Sequence, residues 1–365
     1  MKQAARFLMI DGLRGVAALA VVCYHLRLAV DEAARGPWLW DGLRWVINRG
    51  FLGVDVFFVL SGFVIAYSTR TGPHNLSFLG RFALRRSIRL DPPYWVAIAL
   101  EVLLVTLTIR LFPSLGTELP TLKQVIAHLF YAQNILGYGD IVTIFWTLCY
   151  EVQFYLFFVL LRISWQQLPN RVLAVIVLTA LFVASLSVRF TTVSLSGFAL
   201  DRWFQFFLGV MAWWVLAGKV QARVLVATWF AVMIVALAAG KPDQIVGVGT
   251  SILMVVAGVR GKMGSWLAGR TIQFLGKISY SLYLIHLAVG WRAISLVGQL
   301  SPPLSAPQAI ALFLGGIALS VASAAVMWRL IEYPSIALSK RIAIAKRPPS
   351  NLVTPVSAAV PAGGT

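Results

Sequence analysis

The chain has 365 residues, 59% of them hydrophobic and only 12% charged, with a mean hydropathy of +0.82. That is far more apolar side chain than a soluble core of this length can bury, which excludes a soluble or disordered protein and leaves a membrane protein. The net charge of +18 does not make it a nucleic-acid binder, because its Lys and Arg are scattered between apolar stretches and not gathered on a soluble face. Cys23 and Cys149 both lie in apolar segments, where a thiol behaves as a small hydrophobe, so neither a disulfide framework nor a metal site is expected.

In chain order, apolar stretches fall near 11–31, 48–69, 91–112, 141–161, 172–188, 202–218, 223–240, 244–259, 271–296 and 306–333. Since about 20 residues cross a bilayer, they predict an all-α polytopic membrane bundle of about ten transmembrane helices in one domain. Asp11 and Arg14 interrupt the first stretch, so it is expected to stay as an anchor and not to be cleaved as a leader. The stretch 119–136, broken by Lys123, Gln124, His128, Gln133 and Asn134, is amphipathic and is expected to lie against the surface. One set of alternating loops holds more than twice as many Lys and Arg as the other, which places both termini in the cytoplasm. The Pro-, Ala- and Gly-rich end, 342–365, is expected to be a disordered cytoplasmic tail. No internal repeat is found, which disfavours transporter folds built from duplicated halves.

A charge inside a bilayer costs at least about 2.5 kcal/mol, so each one in a span needs a partner, a wet cavity or a task. Arg14, Asp55, Glu151 and Glu332 are such charges, and His25 joins them as the side chain able to take a proton near neutrality. Arg14 and His25 are eleven residues apart, which at 100° per residue returns them to one helix face, about 16 Å apart along the axis. A long, thin ligand with an anionic end could touch both, and acyl-coenzyme A has that form. The same spacing also suits an arginine that snorkels to lipid phosphate and a histidine that bonds within the bundle.

Further on, FALRRSIRLDPPYW holds Arg85, Arg86 and Arg89, with Arg86 and Arg89 on one face if helical. Two guanidiniums there could fork onto phosphates or serve as a positive-inside anchor. Asp91 and Pro92 then mark an expected helix start, through the N-cap preference of Asp and the first-turn preference of Pro. Asp55 and Glu151 lie at depths near that of His25, and a carboxylate beside an imidazole fixes its tautomer; the sequence does not choose between them. Ser61 and Cys149 are the alternative covalent acyl carriers, each without an adjacent base in sequence.

Seven stretches carry a resemblance: IDGLRGVAALAVVCYHL, GFLGVDVFFVLSGFVIAYS, FALRRSIRLDPPYW, FWTLCYEVQFYLFF, WFQFFLGVMAWW, FLGKISYSLYLIHLAVG and RLIEYPSIALSKR. In this order, from Ile10 to Arg341, the chain resembles the bacterial acyltransferase 3 family of membrane enzymes. The resemblance implies an acyltransferase domain over 1–341, a multi-pass protein of the bacterial inner membrane that O-acetylates sugars. It implies acyl-CoA, usually acetyl-CoA, as donor, a carbohydrate or glycoconjugate as acceptor, and no metal. The family's Arg and His separated by ten residues map to Arg14 and His25, its Arg-x-x-Arg pair to Arg86 and Arg89, its Trp-motif Glu to Glu151, and its closing Glu-x-Pro to Glu332 and Pro334. Asp91-Pro92-Pro93 departs from the family's simpler Ile or Tyr followed by Pro, so the start of that helix is expected to differ.

The expected mechanism has His25 as general base, oriented by Glu151 or Asp55. Arg14, Arg86 and Arg89, with Arg85, hold the nucleotide at the cytoplasmic face. Trp146, Tyr280, Ser281 and His286 are assigned to the acceptor side. The alternative is a transporter or flippase for a lipid-linked sugar or acyl donor, its path lined by the same charges.

Overall fold

The computed structural model describes residues 7–34, 36–71, 75–113, 118–167, 171–190 and 197–342. The reading of 343–365 as disordered lies outside them. All ten apolar stretches coincide with helices. In chain order the helices are α1 (Leu8–Ala34), α2 (Asp41–Asn48), α3 (Gly53–Ser68), α4 (Leu76–Leu111), α5 (Leu122–Leu129), α6 (Trp146–Gln167) and α7 (Arg171–Ser187). They continue with α8 (Trp203–Leu216), α9 (Ala222–Ala238), α10 (Val246–Val259), α11 (Arg270–Ile285), α12 (Arg292–Leu300), α13 (Ala306–Met327) and α14 (Tyr333–Ser339). Among the described residues, five helical segments are long and apolar enough to cross a membrane, or six if the bent pair α11–α12 is one span. Helices α7 to α10 run 14 to 17 residues.

Small residues let the helices that carry the site approach closely. On α3 and α8, a Cβ added to Gly62 would stand 1.9 Å from the Phe206 carbonyl oxygen, and one added to Gly209 would stand 1.9 Å from that of Val59. Backbone lies against backbone there, the close approach that glycine permits between membrane helices. Around this crossing Phe154 stacks on Phe206 with centroids 4.2 Å apart, and Phe58 packs on Phe206 at 4.6 Å. Helices α3, α6 and α8 are thereby locked together, which fixes the relative positions of Asp55, Ser61 and Glu151.

Two expectations are corrected by the course of the backbone. Helix α4 does not begin at Asp91 but at Leu76, where the side chain of Asn75 caps it by accepting from the Phe78 amide at 2.8 Å. Asp91 is spent instead on the Ser87 and Tyr131 hydroxyls, the latter at 3.0 Å, and Pro92 and Pro93 lie inside the 36-residue helix. Arg86 and Arg89 therefore project from the middle of a continuous helix, about 54 Å long at 1.5 Å per residue. The second correction is the stretch 271–296, which is a pair of helices bent by 57° at the π-turn Leu287–Trp291. A second π-turn, Trp328–Glu332, joins α13 to α14. Each extra residue in a turn rotates the side chains after it, and such turns gather at functional sites: His286 immediately precedes the first and Glu332 ends the second.

Within 119–136 the helix is only α5. Its His128 is buried, with Nδ1 donating to the Gln124 carbonyl at 2.7 Å and Nε2 accepting from the Ile141 amide at 3.0 Å. The imidazole thereby pins the following turns against α5.

Candidate active site

Three cavities neighbour one another in the bundle, each sharing wall residues with the next. The first, about 20 Å³, is lined by Arg14 of α1, Ser61 of α3, Arg86 and Arg89 of α4 and Glu151 of α6. Arg14, Phe57, Ser61 and Glu151 also wall the second, about 40 Å³, together with Val54, Thr147, Tyr280 and Tyr283. Val54 and Tyr283 in turn border the third and largest, about 400 Å³, which holds His25, Asp55, Trp146, Arg202, Lys241 and Gln244. The helix spacing of Arg14 and His25 thus spans the row from one end to the other.

The first cavity gathers three guanidiniums around one carboxylate, that of Glu151, so its wall carries an excess of positive charge. Among the described residues, the guanidiniums of Arg14, Arg86 and Arg89 make no hydrogen bond or ion pair; Arg86 lies only over the rings of Phe82 and Tyr155, at 5.7 and 5.6 Å. The nearest carboxylates make their hydrogen bonds to serines and not to these guanidiniums. Glu332 accepts from the Ser281 hydroxyl at 2.6 Å and its amide at 3.2 Å, and Glu151 accepts from the Ser61 hydroxyl at 2.8 Å. Three guanidiniums bring fifteen N–H donors to this recess, and their planar forks have the shape that matches phosphate oxygens. Arg85 does not join them; its Nη1 lies 3.5 Å from the Ile342 carbonyl.

At the other end, His25 is bonded to His286, with 3.0 Å between His25 Nδ1 and His286 Nε2. The protons follow from the partners. His286 Nδ1 faces two backbone carbonyls, of Tyr283 at 2.8 Å and Leu282 at 3.1 Å, and carbonyls only accept, so Nδ1 carries the hydrogen. In the neutral ring Nε2 is then an acceptor, and His25 Nδ1–H must donate to it. This leaves the lone pair of His25 on Nε2, the atom able to take a proton.

The group that orients His25 is therefore an imidazole, where a carboxylate was expected. Glu151 is clamped by Ser61 in the first two cavities. Asp55 shares the third cavity with His25 but is held by Arg202 Nη1 at 3.1 Å, and Arg202 Nε lies 3.3 Å from Asp201. The residues assigned to the acceptor side separate: Trp146 lines the His25 cavity, while Tyr280 lines the middle one and donates to the Leu90 carbonyl at 2.9 Å. Ser281 is turned away to Glu332. Cys149, buried and bonded to the Phe145 carbonyl of its own helix, lines none of the three cavities.

Sequence reasoning missed Arg202, Lys241 and Gln244 in the third cavity. They stand on the loops flanking α8 and α9, where nothing in the local pattern marks them. The pairing of His25 with His286 across 261 residues likewise has no periodic signature.

With this geometry in place, comparisons with known proteins are informative. The family model described as an acyltransferase domain, acyltransferase 3, matches residues 7–329. The chain is 30% identical over 185 residues to the peptidoglycan O-acetyltransferase OatA of Listeria monocytogenes, covering 46% of this chain and 26% of that protein. It is 30% identical over 168 residues to a putative O-acetyltransferase of Staphylococcus aureus, covering 42% and 24%, and 31% identical over 163 residues to the O-acetyltransferase OatA of that species, covering 41% and 23%. The aligned part is about a quarter of the length of these relatives. No solved structure matches. The chain belongs to the acyltransferase 3 family and is a multi-pass, membrane-embedded acyltransferase.

Proposed function

We propose that the protein is an O-acyltransferase that carries an acyl group, acetyl in the first instance, from cytoplasmic acyl-CoA to a sugar hydroxyl on the opposite side of the inner membrane. The single observation that supports this most is the row of cavities joining three unpaired guanidiniums to the free nitrogen of His25. In this reading all ten helical stretches cross or enter the bilayer and both termini are cytoplasmic. The nucleotide phosphates lie against Arg14, Arg86 and Arg89, and the pantetheine arm runs through the middle cavity. The thioester then reaches the third cavity, about 16 Å from Arg14 along α1.

The acceptor hydroxyl enters the third cavity from the far side. His25 Nε2 takes its proton as the oxygen attacks the thioester carbon; the intermediate collapses with loss of the coenzyme A thiolate, which recovers the proton from the imidazolium. His286, held by two carbonyls, keeps Nδ1 of His25 protonated and Nε2 aimed at the reactants. Being neutral, it fixes the tautomer without adding the charge stabilisation a carboxylate would give the imidazolium. Trp146 and Phe51 offer aromatic faces, and Arg202, Lys241 and Gln244 offer polar groups, a combination suited to a hydroxyl-rich ring. That relatives are named O-acetyltransferases, one of them acting on peptidoglycan, favours acetyl as the group and a cell-surface glycan as the acceptor class.

The test uses purified protein in sealed proteoliposomes, with radiolabelled acetyl-CoA supplied at the face bearing the arginines and cell-wall sugar fragments at the other. Label in the sugar supports the proposal. Label that crosses the membrane without entering any sugar would replace it with a transporter.

A further inference from the structure

A donor arm threaded through the middle cavity brings a problem of its own. Pantetheine carries two secondary amides, and a buried amide without a partner costs several kcal/mol in an apolar setting. Much of the wall is apolar: Val54, Phe57, Phe58 and Leu148. Among its polar groups most are already committed. Ser279 donates to the Gly276 carbonyl at 3.0 Å and Tyr280 to that of Leu90 at 2.9 Å. Thr147 donates to the Ile144 carbonyl at 2.9 Å and lies 2.9 Å from the Tyr283 hydroxyl.

Glu151 differs. Ser61 occupies only its Oε1, at 2.8 Å. Oε2 has no hydrogen-bond partner among the described residues, and it is not one of the solvent-shielded orphan atoms, so it is open to the cavity space that Glu151 lines. Its place in the wall of both the first and second cavities puts this acceptor between the phosphate-binding arginines and the His25 cavity.

We infer that Glu151, clamped by Ser61, is the receptor for an amide N–H of the donor's pantetheine arm, a positioning residue for the donor and not the partner of His25. The inference rests on the acyl-CoA reading above. A carboxyl oxygen accepting from an arm N–H fixes that point of the donor, and so sets how far the arm slides toward His25. Ser61 holds the carboxylate in one rotamer and leaves the second oxygen facing the arm.

The test is a donor series: acetyl-CoA, S-acetyl-pantetheine, S-acetyl-N-acetylcysteamine, and the acetyl thioester of mercaptoethanol, which has no amide. They are compared in wild type, Glu151→Leu, Glu151→Gln and Ser61→Ala. Wild type should prefer the amide-bearing small thioesters over the amide-free one. In Glu151→Leu that preference should collapse and KM for acetyl-CoA rise by about tenfold or more, the size expected for a lost buried hydrogen bond. Glu151→Gln should recover part of the preference and Ser61→Ala lose part of it, while the acid limb of the kcat profile stays in place.

If Glu151→Gln and Ser61→Ala are both folded and keep the full wild-type preference, the inference is overturned. A shifted acid limb with all donors slowed alike would overturn it too, because Glu151 would then act through His25. A wild type that cannot use acetyl-CoA at all would overturn the donor reading itself, whereas a preference insensitive to Glu151 overturns only the amide contact.

Discussion

The two ends of the cavity row handle charge in opposite ways. At the arginine end, Arg14, Arg86 and Arg89 stand close together with no hydrogen bond among the described residues, while the adjacent carboxylates are tied to Ser61 and Ser281. At the histidine end nearly every polar group is answered: His25 by His286, Asp55 by Arg202 and Arg202 also by Asp201, with Lys241 left at the rim. Guanidiniums held together without a salt bridge of their own are stabilised by an arriving anion, which suits the first end to the phosphates of the proposed donor. A base must be held in one tautomer before its substrate comes, and the contact with His286 gives the second end that property, as the proposed proton transfer requires.

The contrast breaks most sharply at His25. His25→Ala should lower acetyl transfer by about 10² to 10⁴-fold, the range for losing a general base, while thermal stabilisation of the protein by coenzyme A persists. Equal loss of both would mean that the two ends are not separate in function. At the arginine end the reverse split is expected: Arg86→Ala should raise KM for acetyl-CoA by about 10- to 100-fold, the worth of a charge-assisted phosphate contact, and weaken stabilisation by coenzyme A. Its kcat at saturating donor should change far less.

A smaller effect is expected at His286. His286→Leu removes the side chain bonded to His25 Nδ1 and should lower kcat roughly tenfold, the size expected for one lost buried hydrogen bond. His286→Gln offers a carbonyl oxygen and should recover part of the rate, which a purely space-filling role would not explain. The smallest effect concerns α5. Burial holds the His128 imidazole below its ordinary pKa, so in acid the unfolded chain binds the proton that the folded chain resists. Stability is therefore full above about pH 6.5 and falls as pH drops through that value. Once the base-catalysed intrinsic exchange rate is divided out, the turns after α5 should be less protected from amide hydrogen exchange at pH 5.5 than at 7.5, and His128→Gln should reduce the difference.

Much of the helix layout was legible in the sequence, because apolar runs and helical periodicity are local properties. The shared face of Arg14 and His25, and that of Arg86 and Arg89, could be read for the same reason. The start of α4 misled because Asp91-Pro92 has the local chemistry of a helix start, whereas Asn75 caps the helix further back and tertiary bonds from Tyr131 and Ser87 claim Asp91. The break after His286 leaves no mark in the apolar pattern, since the hydrophobic run continues across it. Partner choice was the least legible feature. Residue spacing puts Glu151 near His25 in depth, but the packing of α6 against α3 sets it beside Ser61 in the cavities that Arg14 lines, and no local pattern encodes that packing.

In the proposed function one donor molecule spans the row of cavities. A cryo-electron microscopy structure of the protein with bound coenzyme A measures this directly. Phosphate oxygens should lie within hydrogen-bond reach of Arg14, Arg86 and Arg89, with the sulfur in the cavity that holds His25. A nucleotide bound away from these arginines, or a sulfur that stops short of that cavity, would contradict the proposed function.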